Sequence, residues 1–350
     1  MNGSESFKTV VIGTSLTPQS DGVVRTGAAV ARACGASPWL IHAFVPPPYP
    51  SDPSVGQWID MQSAGLHDEL AEQARRTGLA DLPGFRPEQL RTKIGSPARQ
   101  IVELAQQEKA DLIVLGAEEA GVLHRIFLGS TADGVIRKTS CPVLIVRSEQ
   151  AFPPARVEIP VDLSPLSAKA YRKGLAFLGQ MGVPLTGTEV LFVLNPFELG
   201  GSIHFTVDQV EHFAGEELRR FMAANSPNRL PHQARIRTGY AREEIVRLLK
   251  EKKVDLAILG THGRTGLERL AVGSVASGVM HQAACNLLLL PPEAPMEKGL
   301  EKETADALRG QPFESTEWTW ICDEEPAGAG GFHAEDHQDA CLVAGAAASR

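Results

Sequence analysis

The chain has 350 residues, enough for about two domains at roughly 100 to 200 residues each. Hydrophobic residues make up 43% and charged residues 22%, the mixture of a globular protein that can bury cores, so gross disorder is excluded for most of it. The net charge of −8 sits entirely in the last stretch: from Met296 to Arg350 twelve acidic residues face four basic ones, while the preceding residues balance, and this excludes a broad basic surface for nucleic acid.

In chain order, the opening "MNGSESFKTVVIGTS" lacks the basic flank and long apolar core of a secretory signal, and no apolar run approaches the ~20 residues that span a bilayer. A cytoplasmic protein with no membrane partner is expected. "TVVIG", "WLIHAF", "DLIVLG" and "CPVLIV" are short apolar runs that read as strands, and "ARQIVELAQQE" between them has helical period. The Pro-rich "VPPPYPSDP" after Val45 reads as a loop at a strand's carboxyl end, where sheets of this kind bind ligands. "SEQAFPPAR" reads as a linker. Beyond it the alternation returns with "VEIPV", "EVLFVL", "DLAILG" and "NLLLL" as strands and "AREEIVRLLKEKK" as a helix.

The second series repeats the first. "TSLTP" ending at Pro18 matches "VDLSP" ending at Pro165, "GSPARQIVELAQQEKADLIVLG" from Gly95 matches "GYAREEIVRLLKEKKVDLAILG" from Gly239, and "LGSTADGVIRKTSCPVLIV" from Leu128 matches "VGSVASGVMHQAACNLLLL" from Val272. Units this long are whole domains and not solenoid repeats. Continuous apolar strands alternating with helices imply a parallel sheet covered on both faces, so each copy is a doubly wound α/β domain. The expected division is 1–150, 151–295 and an acidic tail over 296–350.

In the second copy, "ILGTHGRTGLERLAVGSVASGVM" places a glycine-rich loop between a strand and a helix. Gly273 and Ser274 start that helix, where unpaired backbone N–H groups and the helix dipole attract an anion such as phosphate. Gly260 and Gly263 let the loop approach it closely. Neither the Rossmann fingerprint nor a Walker loop is present. A glycine-rich loop that binds nothing is the plain alternative.

Gly260, two residues, Gly263, nine residues, then Gly273-Ser274, with the flanking "VDLAILGTHGRTGL", resembles the nucleotide-binding motif of the universal stress protein family. The resemblance covers about residues 7–148 and 155–292 and leaves the tail outside. It implies two tandem domains, each a five-stranded parallel sheet with helices on both faces, joined as a pseudo-dimer through their last strands, with ATP, accompanied by Mg, as the ligand. It implies a nucleotide site in the second copy made of Pro160, Val161, Asp162, Val193, Leu259, Gly260, Gly263, Arg264, Gly273, Ser274 and Val275. Asp162 lies near the ribose or a metal, Val193 and Leu259 flank the base, and the glycines and Ser274 hold phosphates. A turn or cap role for Asp162, and solvated loop roles for His262 and Arg264, are the structural alternatives. The first copy departs from the pattern with Ser15 in place of Asp162 and Glu119 in place of Gly263, so weak or no nucleotide binding is expected there. Gly121, two positions late, leaves a shifted loop open.

Catalytic signatures are missing: there is no Ser/His/Asp order, zinc-protease helix or redox Cys-x-x-Cys. Cys141 and Cys285, at equivalent positions, read as small core thiols. The tail "EEPAGAGGFHAEDHQDACLVAGAAASR" has a composition that favours disorder or an appended arm. Trp318 and Trp320 in "STEWTWIC" suit docking on the body or a protein partner, and Cys322, His333, His337 and Cys341 form a weak metal candidate. The expected function is an ATP-binding regulatory protein that works by binding and not turnover, with a homodimer plausible. A nucleotide-independent scaffold and a slow ATP hydrolase or ATP-dependent transferase are the alternatives.

Overall fold

The computed structural model describes residues 6–46, 54–117, 128–147, 152–195, 207–226, 233–263, 272–292 and 320–322. The first series of elements is β1 (Thr9–Gly13), α1 (Ser20–Cys34), β2 (Ser37–Phe44), α2 (Ser54–Arg76), β3 (Leu90–Ile94), α3 (Pro97–Gln107), β4 (Leu112–Gly116), α4 (Ser130–Ile136) and β5 (Val143–Val146). The second is β6 (Val157–Val161), α5 (Pro165–Gln180), β7 (Thr188–Leu194), α6 (Val207–Asn225), β8 (Gln233–Thr238), α7 (Ala241–Glu251), β9 (Leu256–Gly260), α8 (Ser274–Gln282) and β10 (Asn286–Leu290). A short β11 (Trp320–Cys322) follows.

All the strands join one sheet in the order β11-β8-β7-β6-β9-β10-β5-β4-β1-β2-β3. Pairing is parallel throughout except between β10 and β5, which run antiparallel with Leu288 opposite Leu144. The two halves therefore meet through their last strands, as the resemblance implies. Each half has its first strand in the middle, so the chain winds outward to both sides and covers both faces with helices.

The helices form because their apolar residues fall on one stripe. In α3, Ala98, Ile101, Val102 and Ala105 are buried at i, i+3, i+4 and i+7, and in α7 Ile245, Leu248 and Leu249 do the same. These helices and α4 and α8 pack on one sheet face with Val11, Ile113, Ala257 and Leu287. The other face packs Val10, Ile12, Ile159 and Ile258 against α1, α2, α5 and α6. Both layers run across the two halves without interruption. Phe7 meets Phe177 edge-on at 5.3 Å, and the Arg147 N–H donates to Asn286 Oδ1 at 2.8 Å, so the junction is a core and not a hinge.

Backbone conformation repeats along with the sequence. Left-handed residues occur in matching pairs: Leu16 (φ 60°) and Leu163 (63°), Gly35 (61°) and Gly182 (65°), Lys109 (50°) and Lys253 (48°). The Asp of "ADL" and "VDL" has one job in both copies. Asp111 Oδ2 accepts from the Lys8 and Thr9 N–H groups, and Asp255 Oδ2 from those of Ala155 and Arg156, tying the fourth strand of each half to the start of the first. Among the described residues no helix is long and apolar enough to cross a membrane.

Candidate nucleotide site

β6 and β9 are neighbours, and the chain leaves their carboxyl ends in opposite directions, towards β7 and towards β10. Such a divergence opens a crevice above the sheet. Asp162 stands at its rim, directly after β6. Its Oδ1 accepts from the Ser164 N–H at 2.9 Å, and its own N–H donates to Ser167 Oγ at 3.2 Å. Ser164 caps α5 by accepting from the Ser167 N–H at 3.1 Å. The turn role considered for Asp162 is therefore present, through Oδ1.

The other carboxylate oxygen faces the glycine loop. A Cβ added to Gly263 would lie 2.5 Å from Asp162 Oδ2, closer than side-chain carbons approach, so a side chain here would require the carboxylate to turn away. The loop is pinned at both ends: the Thr261 N–H donates to Leu290 O at 3.0 Å and the Gly273 N–H to Thr261 O at 2.8 Å. A Cβ on Gly273 would meet Thr261 O at 3.3 Å, a tight contact. α8 begins at Ser274, and Ser274 and Val275 are exposed at its first turn, where N–H groups lack intrahelical acceptors. Arg264 lies outside the described residues.

Of the expected base-side residues, Pro160 and Val193 are half-buried, and Val161 is buried beside them. Leu259 is only 3% exposed, packed in the α7–α8 layer, so its side chain supports the loop from beneath while its backbone reaches the crevice. The sequence reading missed the contribution of α5. Lys169, Ala170 and Lys173 line a cleft with Gly260, His262 and Pro291. The two lysines are four residues apart on a helix entering the crevice, the spacing that could have flagged them. His262 Nδ1 lies 3.0 Å from Thr261 Oγ1, Nε2 is buried without a partner among the described residues, and burial holds the imidazole below its usual pKa. The site thus combines two ammonium groups, one carboxylate, a tight glycine loop and a helix start, a set suited to a polyanion with a metal ion.

No group of three or more metal-ligating side chains occurs among the described residues. His333, His337 and Cys341 lie outside them, and Cys322 falls in β11. Burial pushes the thiols of Cys141 and Cys285 up to about 12 and about 11, which leaves both protonated.

The model of the Universal stress protein family matches residues 6–147 and again 155–291. The chain belongs to the universal stress protein family. A universal stress protein of Mycobacterium tuberculosis H37Rv is 26% identical over 287 residues, which cover 78% of this chain and 94% of the relative. One from Methanocaldococcus jannaschii is 33% identical over 149 residues, 42% of this chain and 85% of its own. A crystal structure described as a functionally unknown protein from Pseudomonas aeruginosa PAO1 superposes with a TM-score of 0.56 over 84% of this chain and 95% of its own, at 18% identity, which speaks to the fold alone.

The first universal stress domain repeats the scaffold of the site but not the charges at the positions of Asp162, Lys169 and Lys173. Ala117 and Gly129 close its loop through the same two hydrogen bonds, to Val146 O at 3.0 Å and Ala117 O at 2.7 Å. At the rim, Ser15 stands in the place of Asp162, and its Oγ lies 2.9 Å from Thr17 Oγ1. Gly22 and Thr26 occupy the α1 positions that correspond to Lys169 and Lys173. Glu119 and Gly121 lie outside the described residues.

Proposed function

We propose that the second domain binds an adenine nucleotide, ATP with Mg²⁺, and that the protein acts through binding and not turnover. The observation that carries this reading is the contact between the Asp162 carboxylate and Gly263, which leaves a cradle that one methyl group would fill. Asp162 would hold the metal or the ribose, since Mg²⁺ takes one or two carboxylates and completes its shell with phosphate oxygens and water. The backbone of Gly260, Gly263, Gly273, Ser274 and Val275 would hold the phosphates, with Arg264 adjoining, and Lys169 and Lys173 would add charge that the first domain lacks. Pro160, Val161, Val193 and the Leu259 backbone would border the base. A nucleotide there would order the loop and alter the surface offered to partners.

The test is to denature freshly purified protein and quantify the released nucleotide by chromatography, beside Gly263→Val and Gly273→Val. About one nucleotide per chain is expected, reduced at least about tenfold in both variants, a difference of about 1.4 kcal/mol. No nucleotide, and no binding of added ATP and magnesium, would move the function to the scaffold reading. Substrate-stimulated hydrolysis that disappears in Asp162→Ala would move it to an enzyme.

A further inference from the structure

The sheet has two outer strands that correspond by the repeat, β3 and β8, and they end differently. On β3 no further strand pairs among the described residues, and the edge carries its own protection: Arg91 lies over the Trp39 ring at 4.6 Å and Lys93 adds a second positive charge to the strand. On β8 a further strand is present. Trp320, Ile321 and Cys322 pair parallel with Ala234, Arg235 and Ile236. These residues come from an acidic, Gly- and Ala-rich tail in which "WTWIC" is an island of strand-forming residues.

We propose that the outer edge of β8 is a strand-docking site, and that its resident occupant is the chain's own Trp320–Cys322 segment, held in cis. Three observations support this. An edge strand offers unpaired N–H and C=O groups to any extended segment, and β8 is the outer strand of the second universal stress domain. The segment is short, so its ladder holds few hydrogen bonds and it can leave and return without disturbing the core. The connection is long enough: β10 ends at Leu290 and residues 293–319 bridge to Trp320, whereas crossing from β10 to β11 takes about five strand spacings of ~4.8 Å. A tether of this length keeps the segment at a high effective concentration, which favours the chain's own tail over a foreign strand.

The function this assigns to the tail is competitive. While docked, it closes the β8 edge; when it leaves, the same backbone groups become available to an extended peptide of another protein. The inference does not depend on whether nucleotide binds in the second domain.

Hydrogen exchange read by mass spectrometry on the full chain tests it, comparing wild type with the double variant W320P/I321P, which removes two successive amide donors from the segment. Exchange in peptides covering β8 should quicken about tenfold or more in the variant, with β6, β9 and β10 unchanged, and a synthetic peptide of residues 316–326 in excess should restore the protection. Unchanged exchange at β8, or protection that rises with protein concentration and so comes from a second copy, would overturn the proposal. Ile236→Cys gives an independent readout that leaves the segment intact. Because Cys322 and position 236 are register partners, mild oxidation should form an intrachain 236–322 disulfide; an interchain bond, or none, counts against cis docking.

Discussion

The two domains share a backbone and differ in what they bury on one row of the sheet. In the first, Val11 and Trp39 are register partners on β1 and β2, and Arg91 of β3, whose register partner is Ile41, lies over the Trp39 ring, so the row is an apolar residue, an aromatic ring and a half-buried cation stacked on it. In the second, the same positions are Glu158, Glu189 and Arg235. Arg235 is fully buried with its Nε 2.8 Å from Glu189 Oε1, and Glu158 is 1% exposed beside Glu189 with Oε1 unpartnered. Burial, and then the Glu189 charge, push the Glu158 carboxyl well above its usual range, with Arg235 and Lys252 acting against them. One fold thus tolerates either solution at the same place. A buried ionic group makes each member depend on its partners, whereas an apolar row does not.

Removing one member should separate the two rows most strongly. Arg235→Met, which strands two buried carboxyl groups, is expected to cost about 3–5 kcal/mol in urea unfolding. Arg91→Met should cost only about 1 kcal/mol, the worth of a half-exposed cation–π contact. Equal costs would mean that the rows are not different in kind. Replacing the whole second row by the combination E158V/E189L/R235M should be neutral or stabilising by about 1–4 kcal/mol.

The next effect concerns the site. If the rim charge and the loop distinguish the domains, the combination S15D/E119G should raise retained nucleotide from about one towards two per chain, with affinity in the first domain improved about tenfold, or about 1.4 kcal/mol. A value that stays at one would place the difference in Lys169 and Lys173 instead.

The Glu158 carboxyl gives a pH signature whose sign follows from its raised pKa. The folded state holds a proton that the unfolded chain releases, so the contribution is fully present below the usual carboxylate pKa and lost as pH rises through the folded value. Glu158→Gln should therefore gain stability relative to wild type between pH 4.5 and 8, read from urea midpoints across that range. A constant difference would mean that Glu158 is ionised in the fold.

The smallest effect is at the caps. Ser164→Ala should cost about 1 kcal/mol because the side chain caps α5, while Gln19, which precedes α1, makes no side-chain cap bond, and Gln19→Ala should cost a few tenths at most. Thermal unfolding of the two variants checks this.

Much of this architecture was legible in the chain. The apolar runs at β1, β4 and β5 and their counterparts are buried on both sides, and continuous hydrophobicity marks that burial. β3 and β8 were not visible as runs, since "LRTKI" and "QARIRT" alternate charged and apolar residues at the sheet's margins. At the site, Gly260, Gly263 and Gly273 stood out because glycine is a local backbone signal. Lys169 and Lys173 did not, because two lysines on a helix look like a solvated face until the helix is placed against the loop. Glu158 looked like an ordinary polar strand residue for the same reason.

By itself the sequence determined the doubling of the fold, the alternation of strands and helices, and the placing of glycines between β9 and α8. Hydrophobic period and backbone freedom are properties of neighbouring residues, so they can be read from neighbours. Only the tertiary structure decided that the Asp162 carboxylate lies against Gly263, that the last strands pair antiparallel with Leu288 opposite Leu144, that Glu158, Glu189 and Arg235 are buried together, and that the tail lends β8 a partner. Each of these depends on distances between residues far apart in the chain, which packing sets.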